Sequence, residues 1–302
     1  MKIYSLFYIG DTPERVVNSK IKEEGRLRMY LLNARALSIS LQRFGFSLII
    51  LTNNKKGLEY FFSLDEFIAP LEIIEIDFSF PVPKGIEFYS AHFKIDVYKY
   101  FSGLDCYSVL LDLDVICLGR NILDIMNSGG RPYVYDISEQ VVCVYGQTKI
   151  LFDMASIGGG GEFEGRWCGG EMIAGDSMFF SHLYNTCIDI SHNYFKCYKN
   201  LHHNGDEMIV STAIELMRNK GFVIGDAGTL RGISRIWSGS VRHEKRRVSD
   251  LLISDFVHFP ADKKFLAWVG GWARFDVDKF LRLYRLYYGY KYFRTAIVSI
   301  FS

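Results

Sequence analysis

Short apolar runs alternate with a longer stretch of helical periodicity in the first part of the chain. The runs at residues 2–10, 46–54 and 71–78 are apolar enough to form buried strands. Between the first two, residues 25–45 repeat apolar side chains at the spacing of a helix and end on a glycine. This strand–helix–strand alternation predicts an α/β protein with a mainly parallel sheet and helices on both faces.

The remainder of the chain continues the alternation up to about residue 275. The pattern predicts a helix at 91–101, a strand at 109–119, a strand at 131–138, a glycine-rich loop leading into a strand near 171–174, a helix at 206–221 and a short strand that reaches His258. From Asp276 the pattern changes to one or two helices. We therefore expect one domain at 1–275 and a helical tail at 276–302.

Two carboxylates interrupt the apolar run VLLDLDVICLG at residues 109–119. Alternate residues of a strand share a face, so Asp112 and Asp114 would project side by side. Removing such charges from water costs several kcal/mol unless a cation compensates them, and this cost is comparable to the whole free energy of unfolding of a domain. A divalent metal is one interpretation. The other is a strand end that emerges into water, with both carboxylates solvated.

Further polar residues stand at the ends of predicted strands and at a helix start. His258 would follow a short strand, and an imidazole is a suitable third ligand for manganese, although a lone histidine also serves as a hydrogen-bonded structural residue. Asp206 and Glu207 open a helix, where they either cap it or act on a ligand. In open α/β sheets ligands bind at the carboxyl ends of the strands.

Composition excludes some classes of function. A formal net charge of +1 argues against nucleic-acid binding driven by overall charge. The six cysteines form no Cys-x-x-Cys pair, so they predict free thiols in a reducing compartment rather than a zinc site. The first residues lack a small-residue cleavage site, and we expect a cytoplasmic protein.

Four stretches, taken in order, resemble the nucleotide-sugar glycosyltransferases of the GT-A fold, and most of all the retaining glycosyltransferase family 8. They are AHFKIDVYKYFSGLDCYSVLLDLDVICLG, RWCGGEMIAGDSMFF, NGDEMIVSTAIE and FVHFPADKKFL. The family has a helix and strand ending in Asp-x-Asp, then a strand beginning Asn-Ser-Gly, an Asp-Gln pair opening a helix, and a His-Phe followed by Gly and Lys. The resemblance spans roughly residues 2–265.

The sequence departs from the family pattern at three places. Cys168-Gly169-Gly170 replaces Asn-Ser-Gly, Asp206-Glu207 replaces Asp-Gln, and Pro260-Ala261-Asp262 replaces the glycine after His-Phe. The second and third stretches are also similar to the retaining family that includes the blood-group transferases. A Trp-x-Gly-Gly-Glu string occurs in an inverting galactosyltransferase family, so the stereochemistry stays open.

The resemblance implies a Rossmann-like GT-A domain that transfers a hexose from a nucleotide diphosphate sugar, expected to be a UDP-sugar. It implies Mn²⁺, or Mg²⁺, held by Asp112, Asp114 and His258. It also implies a donor-binding set, namely Tyr8, Ile9, Gly10, Asp11, Lys94, Asp112, Leu113, Gly169, Gly170 and Lys264. Tyr8 could equally be a core residue, and Lys94 and Lys264 could equally be solvated surface charges.

Three carboxylates are candidates for the reaction itself: Glu207, Asp206 and Glu171. If the enzyme retains configuration, Glu207 would stabilise or trap the oxocarbenium-like centre, by analogy with retaining hydrolases. If it inverts, Glu171 or Glu207 would be the general base. Asp206 would cap its helix or bind the donor sugar.

The tail alternates basic and aromatic residues. Its basic members are Arg282, Arg285, Lys291 and Arg294. This composition is typical of a helix at an anionic membrane surface, and also of a helix docked on its own domain. With the resemblance, it predicts a glycan or lipid-linked acceptor in bacterial surface polysaccharide or lipopolysaccharide synthesis, at the cytoplasmic membrane face.

Two other functions compete with this prediction. One is a catalytically inactive GT-A-like domain that binds sugar or a partner, against which the joint presence of Asp112, Asp114 and His258 argues. The other is a nucleotidyltransferase, which would be expected to carry a glycine-rich basic signature near the first strand. The sequence YIGDTPERVV lacks that signature.

Overall fold

The computed structural model describes residues 1–10, 23–63, 71–238 and 247–301. Its strands in chain order are β1 Lys2–Phe7, β2 Leu48–Thr52, β3 Glu72–Glu75, β4 Ser108–Leu111, β5 Val115–Cys117, β6 Tyr133–Asp136, β7 Cys168–Gly175, β8 Gly225–Asp226, β9 Ile233–Arg235 and β10 Phe256–His258. The α/β class predicted from the sequence is confirmed.

Helices cover both faces of the sheet. In chain order they are α1 Glu23–Gln42, α2 Lys55–Ser63, α3 Lys94–Ser102, α4 Asn121–Gly129, α5 Ser138–Tyr145, α6 Gln147–Gly158, α7 Ser177–Cys197, α8 Asp206–Asn219, α9 Val248–Leu251, α10 Lys263–Gly270 and α11 Val277–Phe301. Two short 3₁₀ turns, Tyr89–Phe93 and Tyr198–Asn200, precede α3 and follow α7.

The central sheet has seven strands in the order β3-β2-β1-β4-β7-β6-β8. Its pairs are parallel except where β7 runs antiparallel to both β4 and β6. Every residue of β2, β4 and β7 is buried, because helices cover both faces. This explains why these strands appear in the sequence as continuous apolar runs rather than alternating ones.

A second sheet of three strands, in the order β5-β10-β9, lies beyond the end of β4. The predicted single strand through residues 109–119 is in fact two strands in two sheets. β4 ends at Leu111, and residues 112–114 form a turn before β5 begins at Val115. The Asp112 amide still donates to the Glu171 carbonyl at 3.1 Å, which extends the pairing of β4 with β7 by one residue. The two carboxylates therefore lie where the chain leaves one sheet for the other.

The last helix begins inside the protein. Phe280 and Tyr284 of α11 are fully buried in a second hydrophobic core with Phe259 and Phe265. Lys291 further along donates to Asp262 at 2.6 Å. The first half of the predicted tail is thus packed on the small sheet and α10. Within the described residues, no helix combines the length and apolarity needed to span a bilayer.

Candidate active site

A cavity of about 700 Å³ opens at the carboxyl ends of β1 and β4. Its wall includes Tyr8 and Gly10 just after β1, and Asp112 in the turn after β4. The opposite side is formed by the start of α8 and by residues from the small sheet. This is the position where open α/β sheets bind ligands.

Asp112, Asp114 and His258 converge in this cavity. One ligand atom from each lies within 4.8 Å of the others. β10 pairs antiparallel with β5, which places His258 opposite Val115 and hence beside Asp114. His258 Nε2 is 3.1 Å from Asp114 Oδ1. Asp114 and His258 are buried, whereas Asp112 keeps part of its surface open to the cavity.

Basic side chains hold both carboxylates of the turn. Lys94 Nζ, at the start of α3, lies 2.7 Å from Asp112 Oδ1 and donates to the Gly170 carbonyl at 2.9 Å. Lys263, the first residue of α10, forms an ion pair with Asp114. Lys264 was the lysine predicted to bind the donor phosphates in this region. Lys264 is exposed and is not among the residues of the cavity wall, which Lys263 joins instead.

The electrostatics of the turn reflect these partners. Burial disfavours a charge on Asp114, but Lys263 and His258 outweigh burial and lower its pKa well below the usual range. Burial raises the pKa of Asp112 more than Lys94 and His258 lower it. Burial lowers the pKa of His258, yet Asp114 and Glu171 raise it to about 9. In the absence of a metal, a proton on His258 adds a third positive charge beside the two aspartates, after Lys94 and Lys263.

Glu207 faces the same cavity from the first turn of α8. Trp167 Nε1 donates to its Oε2 at 3.0 Å, and the Gly170 amide donates to its Oε1 at 3.2 Å. Arg235 Nη2 donates to the same Oε1 at 2.6 Å. Asp206, one residue earlier, lies 3.4 Å from Lys94 Nζ. Burial raises the pKa of Asp206, but Lys94 and nearby histidines lower it overall, so this carboxylate stays ionised.

Glu171 occupies a different position. It lies on β7, is fully buried and is not among the residues that line the cavity. Arg235 holds both of its oxygens, with Nε donating to Oε1 at 2.7 Å and Nη2 donating to Oε2. Burial raises the pKa of Glu171, but Arg235 and His258 lower it overall. A carboxylate without access to the cavity is poorly placed for the general-base role considered from the sequence.

Aromatic side chains form the end of the cavity near β1. Tyr8 stacks on Phe93 with ring centroids 4.4 Å apart. The backbone of Ile9 is fixed by Asn53, which accepts from its amide and donates to its carbonyl, both at 2.8 Å. Gly10 and Leu113 also line the cavity. Asp11, predicted to bind the donor, lies outside the described residues.

The two glycines predicted on the donor side leave space for the polar network. A Cβ added to Gly170 would lie 2.7 Å from Lys94 Nζ and 3.1 Å from Asp206 Oδ2. A Cβ added to Gly169 would collide with Glu171 Oε2 and lie 3.0 Å from Arg235 Nη2. Charged groups thus occupy the volume that side chains at these positions would need.

Solved glycosyltransferase structures are similar to this chain over most of its length. The galactosyltransferase LgtC, in complex with donor and acceptor sugar analogues, has a TM-score of 0.55 at 12% identity, covering 90% of this chain and 95% of its own. An active-site mutant of LgtC has a TM-score of 0.54 with the same identity and coverage. Mouse xyloside xylosyltransferase 1, in its apo form, has a TM-score of 0.52 at 13% identity, covering 87% of this chain and 98% of its own. This is the GT-A fold.

No family model and no curated protein sequence matches the chain. The similarity to the GT-A structures is therefore one of fold, at identities of 12–13%. The GT-A fold predicted from the four ordered stretches is confirmed. Within it, the Asp-x-Asp turn and His258 come together as that resemblance implied.

The sequence analysis gave no role to three residues of this site: Arg235 and Lys263, which it did not single out, and Trp167, which it noted only within the Trp-x-Gly-Gly-Glu string. Arg235 is 64 residues from Glu171 and 28 from Glu207 in the chain, so no local pattern connects them. Trp167 is 40 residues from Glu207. For Lys263 a signal existed, because it stands next to Lys264, but the pattern did not indicate which of two adjacent lysines points inward.

The chemistry of the donor atoms fits a hard divalent cation. Two carboxylates and one imidazole suit Mn²⁺ or Mg²⁺, whose preferred ligands are oxygen atoms. Five carboxylates share the site with three permanent cations, which leaves negative charge in excess when His258 is neutral. A cation held by Asp112, Asp114 and His258 would balance that excess.

Proposed function

We propose that this protein is a metal-dependent glycosyltransferase that moves a hexose from a nucleotide diphosphate sugar, a UDP-sugar, to a glycan or lipid-linked acceptor. The observation that carries the proposal is the convergence of Asp112, Asp114 and His258 within 4.8 Å, in a cavity of about 700 Å³ at the strand ends of a GT-A fold. Similar structures include a galactosyltransferase bound to donor and acceptor sugar analogues.

Asp112, Asp114 and His258 would hold Mn²⁺ or Mg²⁺. When bound, this ion supplies Lewis-acid stabilisation for the negative charge that develops on the departing diphosphate. Lys263, partly exposed to the cavity, adds a point charge beside the same phosphates. Tyr8, with Phe93 behind it, offers an aromatic face on which the nucleotide base stacks.

Glu207 supports a retaining reaction. It is an acceptor-only carboxylate whose orientation is fixed from three directions, by Trp167, Arg235 and the Gly170 amide. A carboxylate held in that way stabilises positive charge on an anomeric carbon without needing to move. Asp206, paired with Lys94, would hydrogen-bond the donor sugar. Asp206 also lies in the first turn of α8, where the helix dipole favours its negative charge.

The acceptor side of the proposal concerns α10 and the tail. Exposed aromatic residues of α10 and α11, together with the basic residues of the tail, support attachment to an anionic membrane surface, where a lipid-linked acceptor would be found. A role at the cytoplasmic membrane face in bacterial surface polysaccharide synthesis stays a prediction from the resemblance.

A specific observation favours a second candidate. Asp114, Asp112 and Glu207 each already have a basic partner, namely Lys263, Lys94 and Arg235. A site whose charges are internally paired also suits a GT-A-like domain that binds a sugar without catalysis.

One experiment separates the two candidates. Purified protein is incubated with a panel of nucleotide sugars, with MnCl₂ or with EDTA, and both donor hydrolysis and the thermal unfolding midpoint are measured. The proposed enzyme releases nucleotide diphosphate from at least one donor with manganese and not with EDTA. A protein that is stabilised by a nucleotide sugar but never cleaves one is the binding domain instead.

A further inference from the structure

A buried ion pair lies at the wall of the cavity, to which Arg235 contributes. Arg235 on β9 and Glu171 on β7 are almost completely excluded from solvent, and their contact is bidentate. Burying two charges is costly and by itself rarely favours stability over an apolar pair of similar volume. The two charges also approach His258 and Glu207, and each of these contacts suggests a use other than stability.

The first use concerns His258. A histidine that binds a metal through Nε2 must carry its proton on Nδ1, and a buried N–H needs an acceptor. His258 Nε2 faces Asp114, whereas Nδ1 is buried and makes no conventional hydrogen bond within the described residues. Glu171 Oε1 lies 3.5 Å from this Nδ1. Glu171 is therefore the carboxylate toward which a protonated Nδ1 would point.

The second use concerns Glu207. Arg235 Nη2 contacts Glu171 and also donates to Glu207 Oε1 at 2.6 Å. One guanidinium thus connects the carboxylate behind the histidine with the carboxylate on the reaction face. The planar fork of arginine allows this double engagement, which a lysine ammonium would not reproduce with the same geometry.

The strand register brings these groups together. β9 and β10 are parallel with Arg235 directly opposite His258. Gly169, two residues before Glu171, leaves the volume that the pair occupies, since a Cβ there would collide with Glu171. The departure of residues 168–170 from the family pattern thus coincides with the space that this ion pair requires.

We infer that Arg235 and Glu171 are a pair of positioning residues: Glu171 orients the imidazole of His258 for metal binding, and Arg235 fixes the carboxylate of Glu207 toward the donor. This inference rests on the proposed function, because it assigns roles relative to the metal and the donor. Glu171 does not line the cavity, and the role assigned to Arg235, which does line it, is exerted through Glu207.

The test uses a double variant that removes both buried charges together. Arg235→Met with Glu171→Leu removes the buried cation and its bidentate partner together, and Glu207 keeps Trp167 Nε1 and the Gly170 amide as donors, so we expect the fold to be retained. The expected results are a manganese dissociation constant at least about tenfold higher, as for the loss of a carboxylate behind a metal-binding histidine, and a lower kcat. Manganese binding is measured by titration calorimetry without donor, so this readout does not depend on activity.

Two further variants complete the test. Arg120→Met with Asp124→Leu removes an exposed bidentate pair outside the cavity and should leave both readouts unchanged. Arg235→Lys keeps a positive charge beside Glu171 and should fold even if the double variant does not. We expect it to bind manganese like wild type while kcat falls at least about tenfold and the donor KM changes little.

The outcomes separate this inference from the proposed function. Wild-type protein that binds no manganese and cleaves no donor refutes the proposed function and this inference with it. If the wild-type protein binds manganese and cleaves a donor, and the double variant matches it in manganese affinity and kcat, this inference alone is overturned. The same holds if Arg235→Lys matches the wild-type protein in both quantities.

Discussion

Asp114 is the residue on which the metal hypothesis depends most. Replacing it with asparagine removes a negative ligand but keeps the side-chain shape, so manganese affinity should fall at least about tenfold and turnover at least about a hundredfold. Asp124→Asn makes the same change on an exposed residue of α4 and serves as the control. Unchanged turnover in Asp114→Asn would remove this residue from the metal site.

Glu207 provides a separate test of the reaction face. Glu207→Gln preserves the acceptor oxygen for Trp167 but loses the charge that, in the proposed function, stabilises the anomeric carbon. Donor affinity should change little, while turnover falls at least about a hundredfold, the lower end for a positioned catalytic group. Equilibrium binding and product formation are measured separately. Near-normal turnover would exclude the residue, and an inverted anomeric product would make it a general base.

The residues of the site differed in how far the sequence could predict them. Asp112 and Asp114 stand out because two charges interrupt an apolar run, which is a local signal. Arg235 gives no such signal, because what makes it important is its contact with Glu171 and Glu207, and those contacts exist only in the folded chain. Sequence patterns reveal residues that violate their local surroundings, but they do not reveal long-range partners.

Among the secondary-structure elements, β7 packs so closely against the start of α8 that no side chain fits at Gly170. Gly170→Ala should push Lys94 Nζ away from Asp112 and destabilise the fold by about 1–3 kcal/mol, the usual cost of overpacking. Donor hydrolysis should fall as well. Gly129→Ala, in α4 with open space around the added Cβ, is the matched control and should not lower the thermal midpoint. Equal melting and activity for both variants would contradict this account.

Helix α11 carries an exposed apolar face beyond its buried first turns. Leu286, Tyr290 and Phe293 follow one another at helical spacing and are 67%, 64% and 66% exposed. Replacing all three with serine should lower sedimentation with anionic vesicles at least about tenfold, because each contributes up to about 1.5–3 kcal/mol when fully buried. Turnover on a soluble acceptor should stay the same.

The control for the vesicle experiment is Tyr60→Ser on α2, a residue that is 61% exposed outside this face. If the wild-type protein does not sediment with the vesicles, α11 has no membrane role. A truncation before residue 276 would be a poor test, because it also removes Phe280 and Tyr284 from the second core.

Hydrophobic periodicity predicted β1, α1, β2, β3, α3, β6, β7 and α8 in their order, but it did not predict the helices α2, α4, α5, α6 and α7 or the division of the strands between two sheets. Residues 109–119 have the pattern of one strand, yet the chain turns at 112–114 and the final three strand residues pair with β10. That pairing depends on residues about 140 positions away. The periodicity of a segment indicates how it is buried and leaves open which neighbour buries it.

For the whole molecule, two histidines predict acid sensitivity, namely His92, which is fully buried, and His203, which is partly buried. Burial lowers the pKa of both His92 and His203 below the ordinary value of 6.5. As pH falls below 6.5 these histidines become protonated in the unfolded chain but stay neutral in the folded protein. The free energy of unfolding therefore decreases in that range, by up to about 1.4 kcal/mol per pH unit for each histidine. Above 6.5 their effect is constant.

The contribution of His258 to stability depends on pH in the opposite direction. Its folded pKa of about 9 in the absence of metal stabilises the protein fully below pH 6.5, and this contribution is lost as pH rises through 9.

Urea denaturation in EDTA at pH 7.5, 6.5 and 5.5 measures how steeply the free energy of unfolding falls below pH 6.5. His203→Phe should reduce that slope, whereas His182→Gln, at an exposed position, should not. A flat stability between pH 6.5 and 5.5 would contradict the assignment of neutral histidines.

The separation of 144 residues between Asp114 and His258 has a consequence for folding. An ion that needs both ligands finds them together only after the central and small sheets have formed, so the unfolded chain offers no comparable site. By mass action, the ion then shifts the population toward the folded state, by about 2.7 kcal/mol when its free concentration is a hundred times the dissociation constant. The supply of manganese would set the folded fraction of the protein as well as its rate of turnover.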